Sequence, residues 1–406
     1  MTWTTGRLLE VAKAWPSNVD KHTVEGQLPI RLCNYTDVYK NSSITGALAF
    51  MAATTTPEQL DRFRLRLGDT VITKDSETAD DIGVPAYVEY AAPDLVCGYH
   101  LAIIRPDRTK ADPRYMYWAM ASQFVLQQWS VLASGVTRVG IRSNDLQRVL
   151  VPLPPLIIQR GIAGYLDRET AQIDALTAKQ EKLISVLGER RSVAAAEELG
   201  DIVGVGQRLK RSLVERDHRS GESLRHLPLL SVSISWGVRR RDALSDDVPR
   251  AEDLSAYKIA EAGDIVVNRM RAFQGALGVA PQRGLVSPDY AVLKTSNLVD
   301  PSWIAAVMTS PRFVAEMTSR LKGIGGVNNG TVRTPRINVV DLLDISVRIP
   351  CIDQQRAQLA TMATMRSRID SVVAKAERFI ELSKERRAAL ITAAVTGQID
   401  VTGEAA

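Results

Sequence analysis

The residues able to do chemistry are sparse in this chain, and their spacing argues against catalysis. Four histidines, His22, His100, His218 and His226, form no close pair, and no glycine loop followed by Lys-Ser or Lys-Thr is present to cradle a phosphate. Cys33, Cys97 and Cys351 are too few for a disulfide framework and lack metal-ligand spacing. No Asn-Pro-Pro-Tyr/Phe or Asp-Pro-Pro-Tyr/Phe segment offers an amino-methyltransferase a grip on its target base. Gly323-Ile324-Gly325-Gly326 leads into Asn328-Asn329-Gly330 and not into a helix, so it reads as a surface loop. What remains is cationic. Arg239-Arg240-Arg241, Arg269 with Arg271, and Lys322 followed by Arg333 and Arg336 could meet phosphates or base edges. The alternative for each is a solvated surface charge.

Charge is unevenly spread. Lys plus Arg against Asp plus Glu number 16 and 16 in residues 1–152, 6 and 7 in 153–200, 21 and 16 in 201–348, and 8 and 7 in 349–406. The net +5 therefore resides in the third segment. Hydrophobic residues make up 45% of the chain, enough for real cores, and no apolar run approaches the length that spans a bilayer. The first residues lack a signal peptide's apolar centre, and a soluble, cytoplasmic protein is expected.

These residues must be positioned by elements, and a duplication shows which. Residues Pro154–Arg191 recur in register 196 positions later as Pro350–Arg387. The shift superposes Gln159-Arg160 on Gln355-Arg356, Ile173-Asp174 on Ile369-Asp370, and Glu189-Arg190-Arg191 on Glu385-Arg386-Arg387. A period near half the chain means two copies of one large unit. Both stretches predict long helices with one apolar stripe. In the first, Leu166, Ile173, Gln180 and Leu187 make one seam column and Ile162, Leu176 and Leu183 the other; in the second, the columns are Met362, Ile369, Ala376 and Ser383, and Met365, Val372, Phe379 and Arg386. Such helices either pair with one another as an intramolecular coiled coil or pack separately on their own globular neighbours.

The regions before each helix are duplicated less cleanly. Gly68-Asp69-Thr70-Val71-Ile72 matches Gly263-Asp264-Ile265-Val266-Val267, Asp112-Pro113 matches Asp300-Pro301, and Ile141 matches Ile337. Short β-rich runs such as Val71-Ile72, Tyr87-Val88, Leu101–Ile104, Ile265–Val267 and Ala291–Leu293, interrupted by helical patterns at 113–129 and 301–321, predict an α+β fold. Four segments are expected: globular domains at 1–152 and 201–348, and helical spacers at 153–200 and 349–406.

Four stretches together resemble the specificity subunit of a type I restriction-modification enzyme, over nearly the whole chain. They are Pro154-Pro155-Leu156 with Gln159-Arg160; Lys384–Ile391 followed by Thr392-Ala393-Ala394-Val395-Thr396-Gly397-Gln398-Ile399-Asp400; Asn268–Gly278 followed by Val286–Tyr290; and Ile72–Ser76 with Gly98-Tyr99-His100. The chain departs from the family pattern at Ile158 and Gln354, where glutamate is common, and at Cys351-Ile352, where Pro-Leu is expected.

The resemblance implies two pseudo-repeated α/β target-recognition domains held apart by two long helices in an antiparallel coiled coil, each domain reading half of a bipartite, asymmetric site in double-stranded DNA. It implies no catalysis and no cofactor in this chain. Two modification subunits would bring S-adenosylmethionine and methylate adenine N6, and restriction subunits would use ATP and Mg. A protein-only coiled-coil adaptor and a recombining silent specificity cassette are the alternative readings. The candidate DNA-contacting residues are Lys40, Lys74, Arg138 and Arg142 in the first domain, and Arg269, Arg271, Gln274, Asn328, Asn329, Arg333 and Arg336 in the second. Arginine can grip guanine with two donors, and Asn or Gln can do so for adenine. Arg271 and Gln274 lie in a stretch shared by domains that read different sequences, which fits a structural or phosphate-contacting role equally well.

Overall fold

Residues 3–221, 227–242, 254–321 and 336–401 are described by the computed structural model. The chain divides into two compact units, residues 1–181 with 377–406, and residues 182–376. In the first, strands β1 (Ala12–Pro16), β2 (Thr70–Thr73), β3 (Pro85–Val88) and β4 (Leu101–Pro106) belong to a five-stranded sheet ordered β1-β4-β2-β3 with the edge strand Ser43–Ile44 beside β3; the pairs are antiparallel except Ser43–Ile44 with β3, which is parallel. Helices α1 (Pro113–Ala121) and α2 (Gln123–Leu132) follow, and then the 44-residue α3 (Leu156–Leu199). In the second unit, β5 (Leu213–Arg216), β6 (Ile265–Asn268), β7 (Leu277–Val279) and β8 (Tyr290–Thr295) are ordered β5-β8-β6-β7, again all antiparallel. Helices α4 (Pro301–Thr309), α5 (Pro311–Ser319) and the 45-residue α6 (Ile352–Thr396) repeat the helical order.

The repeat extends to single hydrogen bonds. Gly68 and Gly263 both turn with φ +88°, a left-handed conformation that glycine adopts without a Cβ penalty. Each delivers a buried aspartate to the start of the central strand. Asp69 Oδ2 accepts from the Arg66 amide and Asp264 Oδ2 from the Glu261 amide, both at 2.9 Å. Arg105 donates to both oxygens of Asp69, at 2.7 and 2.6 Å, and Arg216 reaches Asp264 at 3.2 Å. A buried carboxylate demands such donors.

The strongest shared device lies where each long helix begins. Gln159 and Gln355 are buried. The Gln159 carbonyl oxygen accepts from the Asp112 amide at 2.8 Å, and its amide donates to the carbonyls of Pro154 at 2.8 Å and Lys110 at 3.3 Å. Gln355 does the same with the Asp300 amide at 2.8 Å and the carbonyls of Pro350 at 2.8 Å and Leu298 at 2.9 Å. Asp112 and Asp300 in turn cap α1 and α4, each accepting two amides from the first turn. One side chain thus joins the long helix to the capped end of the domain helix. The cores stack on this joint: Tyr115, Trp118 and Trp129 in the first unit, Trp303 and Phe313 in the second, all at most 2% exposed.

One seam column differs from the heptad expectation. Leu166 and Ile173 are buried and Gln180 and Leu187 half-buried, as expected, but Leu176 and Leu183 stand 47% and 38% exposed. The inward second column is Ala163, Thr170, Thr177 and Ile184, one position later. Thr170 and Thr177 can face inward because their hydroxyls donate to the carbonyls of Leu166 and Ile173, four residues back, leaving the methyl groups outward from the helix axis. In α6 the shift recurs: Val373, Ile380 and Arg387 turn inward, while Met365, Val372 and Phe379 are exposed. Within the first unit, Ile162 and Leu166 share a core with Ile391, Ala394 and Val395, and Asp174 pairs with Arg387 at 3.1 Å. Within the second, Arg191 pairs with Asp370 at 3.4 Å and Gln358 donates to the Glu198 carbonyl at 2.7 Å.

The glutamine joints make a direct test. Gln159→Leu or Gln355→Leu preserves volume but strands buried backbone groups, at about 1–3 kcal/mol each. Each substitution should lower the thermal midpoint by several degrees, whereas Gln354→Leu, at an exposed position, should leave it unchanged.

Candidate nucleic-acid interface

The central strand of each unit ends in a cation. In the first unit β2 runs into Lys74, whose carbonyl accepts from the Ile141 amide at 2.9 Å; in the second β6 runs into Arg269, whose carbonyl accepts from the Ile337 amide at 3.1 Å. The two pairs occupy equivalent places. In the first unit the residues leading up to that isoleucine form the loop beside the strand end. Candidate residue Arg138 falls in this loop; Asn328, Asn329 and Arg333 lie outside the described residues.

In the first unit the loop is a tight reversal. Ser134 and Gly140 exchange backbone hydrogen bonds at 3.0 and 3.1 Å, and Val139-Gly140 pairs antiparallel with Asp75-Ser76. Gly135, at φ +152°, closes the turn, where a Cβ would collide with the Arg138 carbonyl. Gly140 is less constrained, since a Cβ there would meet only the end of the Asp75 side chain, at 2.8 Å. The tip, Val136 to Arg138, is exposed.

A relay of side chains sits at the base of this loop. Asp75 Oδ2 lies 2.7 Å from Lys74 Nζ and 2.7 Å from His100 Nδ1, and His100 Nε2 lies 3.2 Å from Arg138 Nη1. A guanidinium only donates, so Nε2 accepts and the Nδ1–H is the donor to Asp75. The relay steers Arg138 and neutralises much of Lys74. Lys74 is thus an anchor more than a free phosphate contact. Aromatic rings enclose the relay: Tyr99 is 3.6 Å from the His100 ring centre, Tyr35 meets it edge-on at 6.5 Å, and Tyr35 stacks on Tyr39 at 5.4 Å. Burial pushes the Tyr35 phenol up, and the hydrogen bond to Asp81 does so for Tyr39, so both keep their protons at neutral pH. Lys40, ending the short helix Tyr35–Tyr39, and Arg142, just before the helix Ser143–Leu146, are exposed on flanking elements. Asp75, His100, Tyr35, Tyr39 and Tyr99 were not among the candidates from sequence; the Lys-Asp-Ser and Gly-Tyr-His motifs carried part of that signal.

In the second unit, Arg269 Nε donates to the Ile337 carbonyl at 3.1 Å, making it a brace for the strand end. Burial and the neighbouring Arg336 lower its pKa. Arg336 Nη2 pairs with Asp289 at 2.8 Å. Arg271 and Gln274 are exposed on a short turn closed by Gly275 at φ +89°. Among the described residues no group of His, Cys, Asp and Glu could hold a metal ion, and no helix is long and apolar enough to cross a membrane.

The fold is two copies of an α+β unit, each followed by a long helix, and it is shared with solved structures of type I restriction-modification proteins. A solved structure described as the basis of complex assembly and conformational transition of the type I R-M system matches over 98% of both chains, at TM-score 0.70 and 18% identity. The HsdS subunit of Thermoanaerobacter tengcongensis matches over 98% of this chain and 97% of its own, at TM-score 0.55 and 18% identity. By sequence, the type I restriction enzyme StySPI specificity subunit of Salmonella potsdam is 24% identical over 193 residues, 48% of this chain and 40% of that one. The EcoBI specificity subunit of Escherichia coli is 32% identical over 116 residues, 28% and 24% of the two chains. The matches span only 24 to 40% of the length of the curated relatives. No family model matches the chain. The chain is related to the specificity subunits of type I restriction-modification systems, by sequence over part of its length and by fold over nearly all of it.

Replacing Gly135 by Ala should strain the loop that presents Arg138 by about 1–3 kcal/mol. Tryptic cleavage after Arg138 should then quicken by more than the accompanying fall of a few degrees in the thermal midpoint accounts for. Equal cleavage rates would remove the turn from this account.

Proposed function

We propose that the chain is the DNA-recognition subunit of a type I restriction-modification assembly, contributing specificity and no catalysis. Each unit reads one half of a bipartite, asymmetric site beside its central-strand cation, the first through the loop that carries Arg138. The observation that carries this reading is the equivalence of Lys74 with Ile141 and Arg269 with Ile337. It gives both units the same presenting frame, while the residues mounted on it differ. A protein of two repeated units with diverged reading surfaces suits a split target in which two different half-sites lie along one duplex.

Two modification subunits with S-adenosylmethionine methylate adenine N6, and restriction subunits use ATP and Mg, in the cytoplasm. The long helices form an antiparallel coil, which the reversed order of the pairs Asp174–Arg387 and Arg191–Asp370 supports. With equal numbers of acids and bases in residues 1–152, the first domain leaves much of the phosphate neutralisation to its partners.

Arg138→Ala should relax one position of one half-site by about 1–3 kcal/mol of discrimination, the worth of a bidentate base contact, and leave the other half-site as it was. Methylome sequencing of cells carrying the assembled complex reads this. An unchanged motif with assembly intact would remove Arg138 from base reading.

The helices should also set the gap between half-sites. Seven residues inserted after Leu187 keep the seam in register and add about 10 Å of helix, or roughly three base pairs. The methylated motif should gain about one to three base pairs of spacer, with both half-sites unaltered.

A further inference from the structure

Helices α1 and α4 align without a gap from their capping aspartates to Ser122 and Ser310, which end them in the same extended conformation. The alignment sets Arg114 against Ser302, Tyr117 against Ala305 and Trp118 against Ala306. In the first unit the three larger side chains fill the angle between α1 and the long helices. Trp118 Nε1 donates to Asp167 at 2.9 Å, and Arg114 Nε donates to the same oxygen at 2.8 Å. The Arg114 guanidinium lies 4.7, 5.0 and 5.5 Å from the ring centres of Tyr87, Tyr117 and Trp118. Arg387 stands 5.7 Å over Trp118 while it pairs with Asp174.

The second unit keeps the frame and omits the filling. Arg191 is the counterpart of Arg387 under the 196-residue shift, and its pair with Asp370 is the counterpart of Arg387 with Asp174. The counterpart of Asp167, however, is Ala363. An open groove of about 770 Å³ lies here, lined by Ser302, Ala305, Ala306 and Ala363 over Leu199 and Met362. Its wall also includes Trp236, from the turn that precedes the strand Gly237–Arg240. Arg191, Arg239 and Arg366 line it as well. Asp370 is shared by two of these, Arg191 at 3.4 Å and Arg366 at 3.5 Å. The groove is therefore open where the first unit places an indole, and carries a surplus of positive charge where the first unit supplies a carboxylate.

We propose that this groove is a socket for a partner polypeptide that presents one aromatic side chain flanked by carboxylates. That is the chemistry Trp118 and Asp167 provide internally in the first unit, so only the second unit needs it from outside. Charge complementarity selects the acidic flanks, since guanidinium groups pair with carboxylates through directed hydrogen bonds. Ring burial against aliphatic and aromatic walls supplies the anchor. The proposal stands whether or not the strand-end cations and their neighbours read DNA.

The test titrates the full-length chain calorimetrically with the synthetic peptide Asp-Glu-Trp-Glu-Asp. Control peptides replace Trp by Ala, or the acids by Lys. The acidic aromatic peptide should bind at least about tenfold more tightly than either control. Ala306→Trp with Ala363→Asp, which copies the first unit's filling, should abolish binding and raise the thermal midpoint. Arg366→Gln, on an exposed position, should weaken binding severalfold without touching the packing, and it decides the matter if the filled variant fails to fold. The proposal is overturned if the wild type does not bind at millimolar peptide, if the basic peptide binds as well, or if Arg366→Gln binds unchanged. Displacement of the peptide by adenosine monophosphate at equal concentration would reassign the groove to small aromatic anions. A dimer in sedimentation that the filled variant dissociates would reassign it to a second copy of the chain.

Discussion

Two buried glutamine side chains hold the architecture together. A long helix leaving a domain offers its first backbone amides to no intrahelical partner, and the loop it leaves behind carries unpaired carbonyls. Gln159 and Gln355 sit at that point in the two units and use both ends of their amides. Each accepts from the aspartate that caps the neighbouring domain helix and donates to the proline carbonyl that starts its own. Buried and fully engaged, each fixes the direction in which the long helix departs, and the aromatic cores and central strands are referenced to that direction. A charged side chain there would cost desolvation, and a shorter one would not span the two backbones.

On this shared frame the units have diverged in what they mount. Both deliver a cation at the end of the central strand and hold it through the carbonyl to an isoleucine amide. In the first unit the cation is tied down by Asp75, and the relay through His100 passes the positioning outward to Arg138. In the second unit Arg269 braces the backbone itself. The same place in the fold thus serves as an anchor in both cases, and the exposed chemistry lies one step further along the chain. That separation lets the exposed side chains change without disturbing the strand.

The same divergence explains the unequal contact with the long helices. Trp118, Tyr117 and Arg114 close the first unit against its helices, while Ala306, Ala305 and Ser302 leave the second open. Large side chains at an interface contribute packing energy, so the second unit goes without packing that the first unit has.

Much of this was legible in the chain because it is local. The Gly-Asp turns, the Asp-Pro helix caps and the β-rich runs are decided by residues within a few positions of one another, and their recurrence at offsets of 188 to 196 residues marks the duplication without any three-dimensional knowledge. The apolar stripe on each long helix was also plain, yet its inward column was not: leucines at 176 and 183 satisfy the same spacing as threonines at 170 and 177, and only the neighbouring surface chose the threonines, whose hydroxyls could be satisfied within the helix. Likewise, Asp75, His100 and Arg138 are 25 and 38 residues apart in sequence, and no spacing rule joins them. Strand pairing brings them within hydrogen-bond reach. The groove of the second unit is the extreme case, since it is defined by side chains that are small, and a small residue announces its role only when the structure shows what could have stood in its place.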